Sequence, residues 1–193
     1  LLETSRQISN LFEGAQGEKQ DVVSETSPIV TETNPIGCGA ATGSGYGPTM
    51  IEEVIGVAKA YVTRVGEGPF VTELKDETGD KIREIGHEFG VTTGRPRRCG
   101  WFDAVIIKSS VLVGGFTSLA LTKADVFDSF DEIKVCTAYK DKRDGKIYKS
   151  YPTDVFMHKY LEPVYETHQG WNTDISGIRE YGKLPLNCRK YLE

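Results

Sequence analysis

Apolar residues recur at helical spacing in several parts of the chain. Residues 50–61 (MIEEVIGVAKAY) have apolar positions at i, i+3, i+4 and i+7 and acids in the first turn, which predicts an amphipathic helix. Residues 79–86 predict a second, shorter amphipathic helix, and residues 1–10 have the same periodicity. Residues 61–65, between the first two helices, are predicted as a strand.

Shorter apolar runs predict the strands of a sheet. Residues 116–121 are predicted as a buried strand, and residues 133–139 and 146–151 as a β-hairpin with its turn at Asp144-Gly145. Residues 164–171 predict a strand followed by a turn. Residues 102–113 fit either a helix or a strand, because periodicity does not separate the two in a buried run. Helices alternating with apolar strands favour an α/β fold, and we expect one domain over residues 1–193.

Glycine is concentrated where we expect irregular structure. Residues 37–48 (GCGAATGSGYGP) carry glycine so densely that they predict a loop or a series of tight turns. This run matches neither G-x-x-x-x-G-K-[ST] nor a G-x-G-x-x-G that opens a helix after a strand, so we interpret it as structural. Residues 66–69 (GEGP) predict a turn, and residues 10–17 a short strand followed by a glycine-bounded turn.

Composition argues against several kinds of partner. The 23 basic and 28 acidic residues leave a net charge of −5 and a pI near 5.4, which gives no broad positive field for nucleic acid. No apolar run approaches the ~18 residues of a membrane span, and no signal peptide is visible. The four cysteines lack metal-ligand spacing, so we expect reduced thiols in the cytoplasm and no metal site. Both ends of the chain interrupt a helical pattern, so we expect a piece of a longer protein.

Three arginines, two threonines and a glycine fall within residues 91–98, VTTGRPRR. The guanidinium groups of Arg95, Arg97 and Arg98 offer paired donors to a carboxylate or a phosphate. The threonine hydroxyls and the glycine amide add neutral donors, and the proline stiffens the segment. We expect a loop that binds a small anion, and a solvated basic turn is the alternative.

Lys123, Ala124 and Asp125 follow directly after the predicted strand 116–121, at the end of a strand where α/β sheets bind ligands. A carboxylate in this position accepts hydrogen bonds from the ring N–H and the exocyclic amine of guanine, while a lysine stem covers the base plane. The segment therefore predicts a guanine site. Ordinary surface residues are the alternative, because Lys-x-Asp is a common sequence.

The remaining polar residues give weaker signals. His87, His158 and His168 have no Ser/Asp or Cys partner pattern, so they predict no catalytic triad. Asp103 fits either a structural role or a contact with one of the arginines, and the sequence leaves both open.

Several segments occur in an order that resembles the later portion of the adenylosuccinate synthetase family. The resemblance extends over nearly the whole chain. It is carried by residues 12–17 (FEGAQG), 30–34 (VTETN), 41–45 (ATGSG), 63–70 (TRVGEGPF), 72–74 (TEL), 90–103 and 121–125 (LTKAD).

The resemblance implies a fold and an activity. The fold would be that of P-loop NTPases, with a mainly parallel central sheet and flanking helices, here without the phosphate loop. The family uses GTP and Mg²⁺ to join IMP to L-aspartate in purine biosynthesis, and its members are usually homodimers. The resemblance also implies that the general base, the general acid and the Mg²⁺ ligands lie outside this chain. No catalytic residue and no metal ligand is therefore expected within it.

The resemblance further implies roles for individual residues. IMP would be bound by Gln16, Thr31 and Arg95, and GTP by Arg97, Lys123, Ala124 and Asp125. L-Aspartate would be bound by Val91, Thr92, Thr93, Gly94, Arg95, Pro96 and Arg97.

Two departures from the family pattern bear on these contacts. Pro96 stands where many relatives have another arginine, and residues 18–23 (EKQDVV) are more polar than usual. A module that binds a nucleotide without turnover is the alternative function. A GTPase-like switch is a weaker one, because no phosphate loop is visible.

Overall fold

The computed structural model describes residues 10–14 and 36–193. In this part of the chain, four helices combine with seven strands. The helices are α1 (Gly37–Ser44), α2 (Glu77–Ile85), α3 (Ala104–Gly114) and α4 (Leu186–Leu192). The strands are β1 (Ile55–Lys59), β2 (Tyr61–Arg64), β3 (Arg98–Asp103), β4 (Ser118–Thr122), β5 (Glu132–Asp141), β6 (Ile147–Tyr148) and β7 (Leu161–Gln169).

The strands form two sheets that contain both parallel and antiparallel pairs. Strands β1 and β4 pair in parallel and form a two-stranded sheet. The larger sheet has the order β2-β3-β5-β6, and β7 also pairs with β5. Within it β3 and β5 are parallel, whereas the β2–β3, β5–β6 and β5–β7 pairs are antiparallel. The predicted α/β class is confirmed, with parallel pairing at β1–β4 and β3–β5.

An aromatic cluster forms the centre of the larger core. Phe127 packs edge-to-face against Tyr61, Phe130 and Tyr191, with ring centroids 6.0, 5.2 and 6.0 Å away, and lies 5.6 Å from Trp101. These rings come from β2, β3, α4 and the segment after β4, so burying them fixes the positions of four separate parts of the chain.

Several predicted elements are confirmed. Helix α2 covers residues 79–85 of the predicted helix, with Gly86 as its C-cap. It begins two residues earlier than predicted, where the Asp76 carboxylate accepts a hydrogen bond from the Gly79 amide at 3.1 Å. Residues 102–113 are mainly the helix α3, and the β5–β6 hairpin turns at Gly145 with φ +74°. Strand β2 lies where it was predicted, and strand β7 begins three residues earlier than predicted.

The predicted helix over residues 50–61 is wrong, because this segment contains strand β1. Val54, Ile55 and Val57 are β-branched and have a low helix propensity, and β1 pairs with β4 in parallel. Gly56 allows the close approach, since a Cβ there would collide with the side chains of Phe116 and Leu119. Long-range strand pairing therefore overrides the local helical pattern.

The predicted loop over residues 37–48 is also wrong in its first part, which forms helix α1. A Cβ on Gly37 would lie 3.0 Å from the Gly114 carbonyl oxygen, so this glycine permits close packing against the end of α3. Gly45 ends the helix in the left-handed conformation, with φ +76°. Glycine serves here as a packing residue and a helix cap.

Two further strand predictions need correction. Residues 116–121 contain strand β4, but the strand is mostly exposed and Leu119 keeps 43% of its surface. Its exposure follows from its pairing, because β1 is its one partner strand among the described residues. Residues 10–14 have no regular secondary structure. The rest of the predicted segment 10–17, and the predicted helix before residue 10, lie outside the described residues.

Candidate functional site

The arginine-rich segment forms a closed hairpin between α2 and β3. The Arg97 amide donates to the Glu88 carbonyl at 2.9 Å, and the Gly90 amide to the Arg95 carbonyl at 2.9 Å. The Gly94 amide donates to the Gly90 carbonyl at 2.8 Å, with Gly94 in the left-handed region at φ +65°. The predicted loop is therefore confirmed, and its backbone is held by its own hydrogen bonds.

Side chains at the tip of this hairpin point away from the protein. Val91 is 98% exposed, and Thr92, Thr93, Arg95 and Pro96 are also exposed. Among the described residues, no side chain or carbonyl accepts a hydrogen bond from the Arg95 guanidinium. The tip thus presents one guanidinium and two hydroxyls to solvent, which is a set of donors suited to a carboxylate or phosphate.

Arg98 has a structural role and is not available to a ligand. Its guanidinium makes two hydrogen bonds of 2.7 Å to the Glu73 carboxylate and donates to the carbonyls of Gly66 and Gly68 at 3.0 and 3.1 Å. These contacts fix the predicted turn at residues 66–69 beside β3. All three guanidinium nitrogen atoms of Arg98 are thus bonded within the chain, whereas those of Arg95 and all but Nη1 of Arg97 are open among the described residues.

Arg97 forms an ion pair with Glu88, whose side chain is completely buried. Arg97 Nη1 lies 2.7 Å from Glu88 Oε2. Glu88 Oε1 accepts hydrogen bonds from Tyr61 Oη at 2.6 Å and Lys59 Nζ at 2.7 Å, and lies 3.3 Å from Lys123 Nζ. Burial alone would raise the pKa of Glu88, but the bonds from Lys59, Tyr61 and Arg97 outweigh it and lower the pKa to about 2.

The pKa values of Lys59 and Tyr61, which donate hydrogen bonds to Glu88, are also shifted. Burial lowers the pKa of Lys59, although Glu88 opposes that change. Burial also raises the pKa of Tyr61, and the hydrogen bond to the Glu88 carboxylate adds to the rise. Gly86 makes room for this arrangement, because a Cβ there would collide with the Tyr61 hydroxyl.

The Lys-Ala-Asp segment lies next to the same carboxylate. Lys123 takes the left-handed conformation, with φ +58°, directly after β4, and its Nζ donates to the Gly86 carbonyl at 2.5 Å. Asp125 lies in the 3₁₀ turn Ala124–Phe127 and is exposed. Within the described residues its carboxylate accepts no hydrogen bond. The segment therefore anchors its lysine inward and leaves its carboxylate open to solvent.

The other residues considered from the sequence have different outcomes. Asp103 has a structural role, since its carboxylate caps α3 through the amides of Val105 and Ile106, both at 3.1 Å, and accepts a hydrogen bond from the Tyr139 hydroxyl at 2.6 Å. Gln16 and Thr31, expected at an IMP site, lie outside the described residues. All four cysteines are free thiols.

Sequence reasoning missed Lys59, Tyr61 and Glu88. Lys59 was assigned to a helix that does not form, and Tyr61 both to the end of that helix and to the start of the strand over residues 61–65, so the junction of β1 and β2 was not predicted. Glu88 was visible only as an acid three residues before an arginine-rich segment. A lone acid that lies close in sequence to several bases is a signal that favours an ion-pair partner.

The described residues contain neither a group suited to a metal ion nor a helix suited to a membrane. No group of three or more His, Cys, Asp or Glu side chains there is arranged to hold a metal ion. No helix in that part of the chain is long and apolar enough to cross a membrane.

The fold and the site define a mixed α/β protein in which an arginine-bearing hairpin and a strand-end Lys-Ala-Asp segment meet at one buried carboxylate. A family model described as adenylosuccinate synthetase matches residues 2–193. The chain belongs to the adenylosuccinate synthetase family.

Individual relatives agree with this assignment. The chain is 56% identical over 182 residues to an adenylosuccinate synthetase of Clostridioides difficile and 54% identical over 183 residues to one of Brevibacillus brevis. The alignments cover 94% and 95% of this chain and 42% of each relative. A solved structure of fully ligated adenylosuccinate synthetase from Plasmodium falciparum matches with a TM-score of 0.88 and 39% identity, covering 92% of this chain and 42% of that one. The chain thus spans less than half the length of these relatives.

Proposed function

We propose that the native protein containing this chain is a GTP-dependent ligase that joins IMP and L-aspartate to form adenylosuccinate, GDP and phosphate in purine (AMP) biosynthesis. In this reaction the γ-phosphoryl group of GTP is transferred to the purine oxygen of IMP. The amino group of aspartate then attacks the carbon that bears this oxygen, and phosphate leaves. Such a reaction depends mainly on positioning and charge neutralisation. This chain supplies part of both.

One observation supports the proposal most directly. The hairpin and the Lys-Ala-Asp segment both contact Glu88, and each segment also exposes polar groups that can bind a ligand. Arg95 and the threonines at the hairpin tip are exposed, and so is the Asp125 carboxylate. Lys123 and Arg97 lie between them on one buried acid. A dicarboxylate and a guanine base are the ligands that these two sets of groups suit.

We assign the residue roles that the family resemblance implies, and the exposure of Arg95 and Asp125 supports them. The hairpin, comprising Val91, Thr92, Thr93, Gly94, Arg95, Pro96 and Arg97, binds the aspartate substrate. Arg95 also contacts IMP together with Gln16 and Thr31. Arg97 contacts GTP, whose base is bound by Lys123, Ala124 and Asp125.

Magnesium does not fit the described residues. Mg²⁺ requires several oxygen ligands, no group of three or more His, Cys, Asp or Glu side chains among the described residues is arranged to hold a metal ion, and Glu88 is already paired with cations. We propose that the native protein uses Mg²⁺ with ligands outside the described residues, and we assign no step of the reaction to the ion here. We also propose a cytoplasmic homodimer.

The test is an assay of the native protein that contains this chain with IMP, aspartate and GTP, following adenylosuccinate and phosphate by chromatography. We expect adenylosuccinate only when all three substrates are present. Binding of GTP without turnover would favour a nucleotide-binding module instead. GTP hydrolysis that is independent of IMP would favour a GTPase-like switch.

The guanine assignment has its own test, the Asp125→Asn variant. Replacing the carboxylate by an amide removes one acceptor and introduces a donor facing the N–H groups of guanine, so the KM for GTP should rise by about tenfold or more while the KM for IMP stays unchanged. Asp144→Asn, in the exposed turn of the β5–β6 hairpin, is the matched control. An unchanged KM for GTP in Asp125→Asn would contradict the guanine role.

A further inference from the structure

One buried carboxylate connects three cations that come from three separate segments. Lys59 belongs to the end of β1, Arg97 to the hairpin and Lys123 to the segment after β4. Within the described residues, Glu88 is the one carboxylate that forms an ion pair with any of them. Its two oxygens are divided, since Oε2 receives Arg97 and Oε1 receives both lysines.

We propose that Glu88 is a positioning residue that holds Arg97 and Lys123 in one fixed relative arrangement. It thereby couples the segment that binds aspartate and GTP to the segment that binds guanine. This inference rests on the proposed function and adds a residue to which the resemblance gave no role. Glu88 itself contacts no substrate, because its side chain is fully buried.

The exposure of the three cations supports this role. The side chains of Lys59, Arg97 and Lys123 keep 28, 31 and 41% of their surface, so each is anchored on one side and open on the other. Lysine and arginine lose much side-chain entropy when they are fixed, and here Glu88 imposes that cost before a ligand binds. Three positive charges on one negative charge leave an excess of about two, which remains available to an anionic ligand.

The contact at Glu88 differs from the other carboxylate–arginine contact near the hairpin. Glu73 receives Arg98 on both oxygens at 2.7 Å, with Lys75, two residues away, at 3.7 Å, so it joins two segments. Glu88 divides its oxygens among cations from three segments, the end of β1, the hairpin and the residues after β4. The arrangement suits coordination between segments.

The experiment is the Glu88→Gln variant of the native protein, analysed by steady-state kinetics with each substrate varied in turn. The amide keeps the shape of the side chain but removes its charge and places a donor against a cation. We expect the KM values for GTP and aspartate to rise together by about tenfold, with kcat changing less. The KM for IMP should change by less than about twofold, because Arg95 has no contact with Glu88.

The matched control is Asp141→Asn. Asp141 is also a buried carboxylate bound to an arginine, with Arg143 Nη2 at 2.7 Å, but it lies in the β5–β6 hairpin. Its loss should lower the melting temperature and leave all three KM values unchanged. If Glu88→Gln likewise lowers the melting temperature and leaves all three KM values unchanged, Glu88 has only a structural role and the proposal is overturned.

A conservative variant decides the outcome if Glu88→Gln does not fold. Glu88→Asp keeps the charge and withdraws the carboxylate by one methylene, so the KM values for GTP and aspartate should rise in the same direction by a smaller factor. Unchanged values in folded Glu88→Asp would refute the coupling. A wild-type protein that makes no adenylosuccinate would refute the proposed function instead, and the two failures are therefore distinct.

Discussion

Acidification should remove a defined part of the stability of this protein through Glu88. The pKa of Glu88 is lowered from its ordinary value of 4.5 to about 2, because hydrogen bonds from Lys59, Tyr61 and Arg97 outweigh the effect of burial. A carboxyl group with a lowered pKa in the folded state stabilises that state above its unfolded pKa. This contribution is lost as the pH falls from about 4.5 to about 2.

The magnitude follows from the size of the shift. One pKa unit corresponds to about 1.4 kcal/mol, so the change from 4.5 to about 2 gives about 3 to 4 kcal/mol at most. The three cations are each partly exposed to water, and screening there makes the contribution smaller than this limit. A contribution of 2 to 3 kcal/mol, roughly, is a large part of the stability of a typical domain.

The assay compares the free energy of unfolding of the wild type and Glu88→Gln in urea, from about pH 6 to about pH 2.5. At the higher pH the variant should be less stable, because it lacks the charged acceptor. The two curves should converge as Glu88 becomes protonated in the wild type. A difference that stays constant over the whole range would refute the reasoning, because it would mean that Glu88 does not titrate with the lowered pKa.

Substitutions at three further positions test the packing around the site and the core. Asp103→Ala removes the cap of α3 and the acceptor of the buried Tyr139 hydroxyl, and should lower the free energy of unfolding by about 3 kcal/mol. Asp103→Asn, which retains an acceptor, should cost less in the same urea titration. Gly170→Ala places a Cβ against the Phe130 carbonyl oxygen and should lower the melting temperature clearly, by a calorimetric scan, since backbone atoms cannot move aside cheaply. Gly86→Ala pushes a methyl group against the Tyr61 hydroxyl, which is bonded to Glu88. The KM for GTP should rise more than the KM for IMP in steady-state kinetics. Equal rises in the two KM values would contradict a role of this contact in binding GTP.

Local signals predicted those parts of the structure that are stabilised locally. Helix α2 has its Asp76 cap and its apolar stripe within a few residues of one another, and the β5–β6 hairpin has Gly145 at the position that requires a positive φ. The arginine-rich hairpin was likewise visible from its composition. Each of these features is determined by residues that are neighbours in the sequence.

The parts that were missed depend on contacts between distant residues. Strand β1 forms because β4, more than 60 residues later, pairs with it, and its own sequence has a helical pattern. Helix α1 tolerates its glycines because one of them packs against Gly114. The centre of the site was missed for the same reason. The role of Glu88 depends on its ion pairs with Lys59 and Lys123, which are distant in sequence. Residues 85–90 alone do not indicate those two partners.

The β1–β4 pair also has a consequence for local opening. It is a two-stranded parallel sheet among the described residues, and its strands are largely exposed, Val57 by 76%. Its backbone amides should therefore exchange with solvent deuterium sooner than those of β5, which is paired on both sides and mostly buried. Because Lys123 follows β4 directly, the least protected strand leads into the segment assigned to guanine. Slower exchange in β4 on addition of GTP would then report nucleotide binding without any turnover.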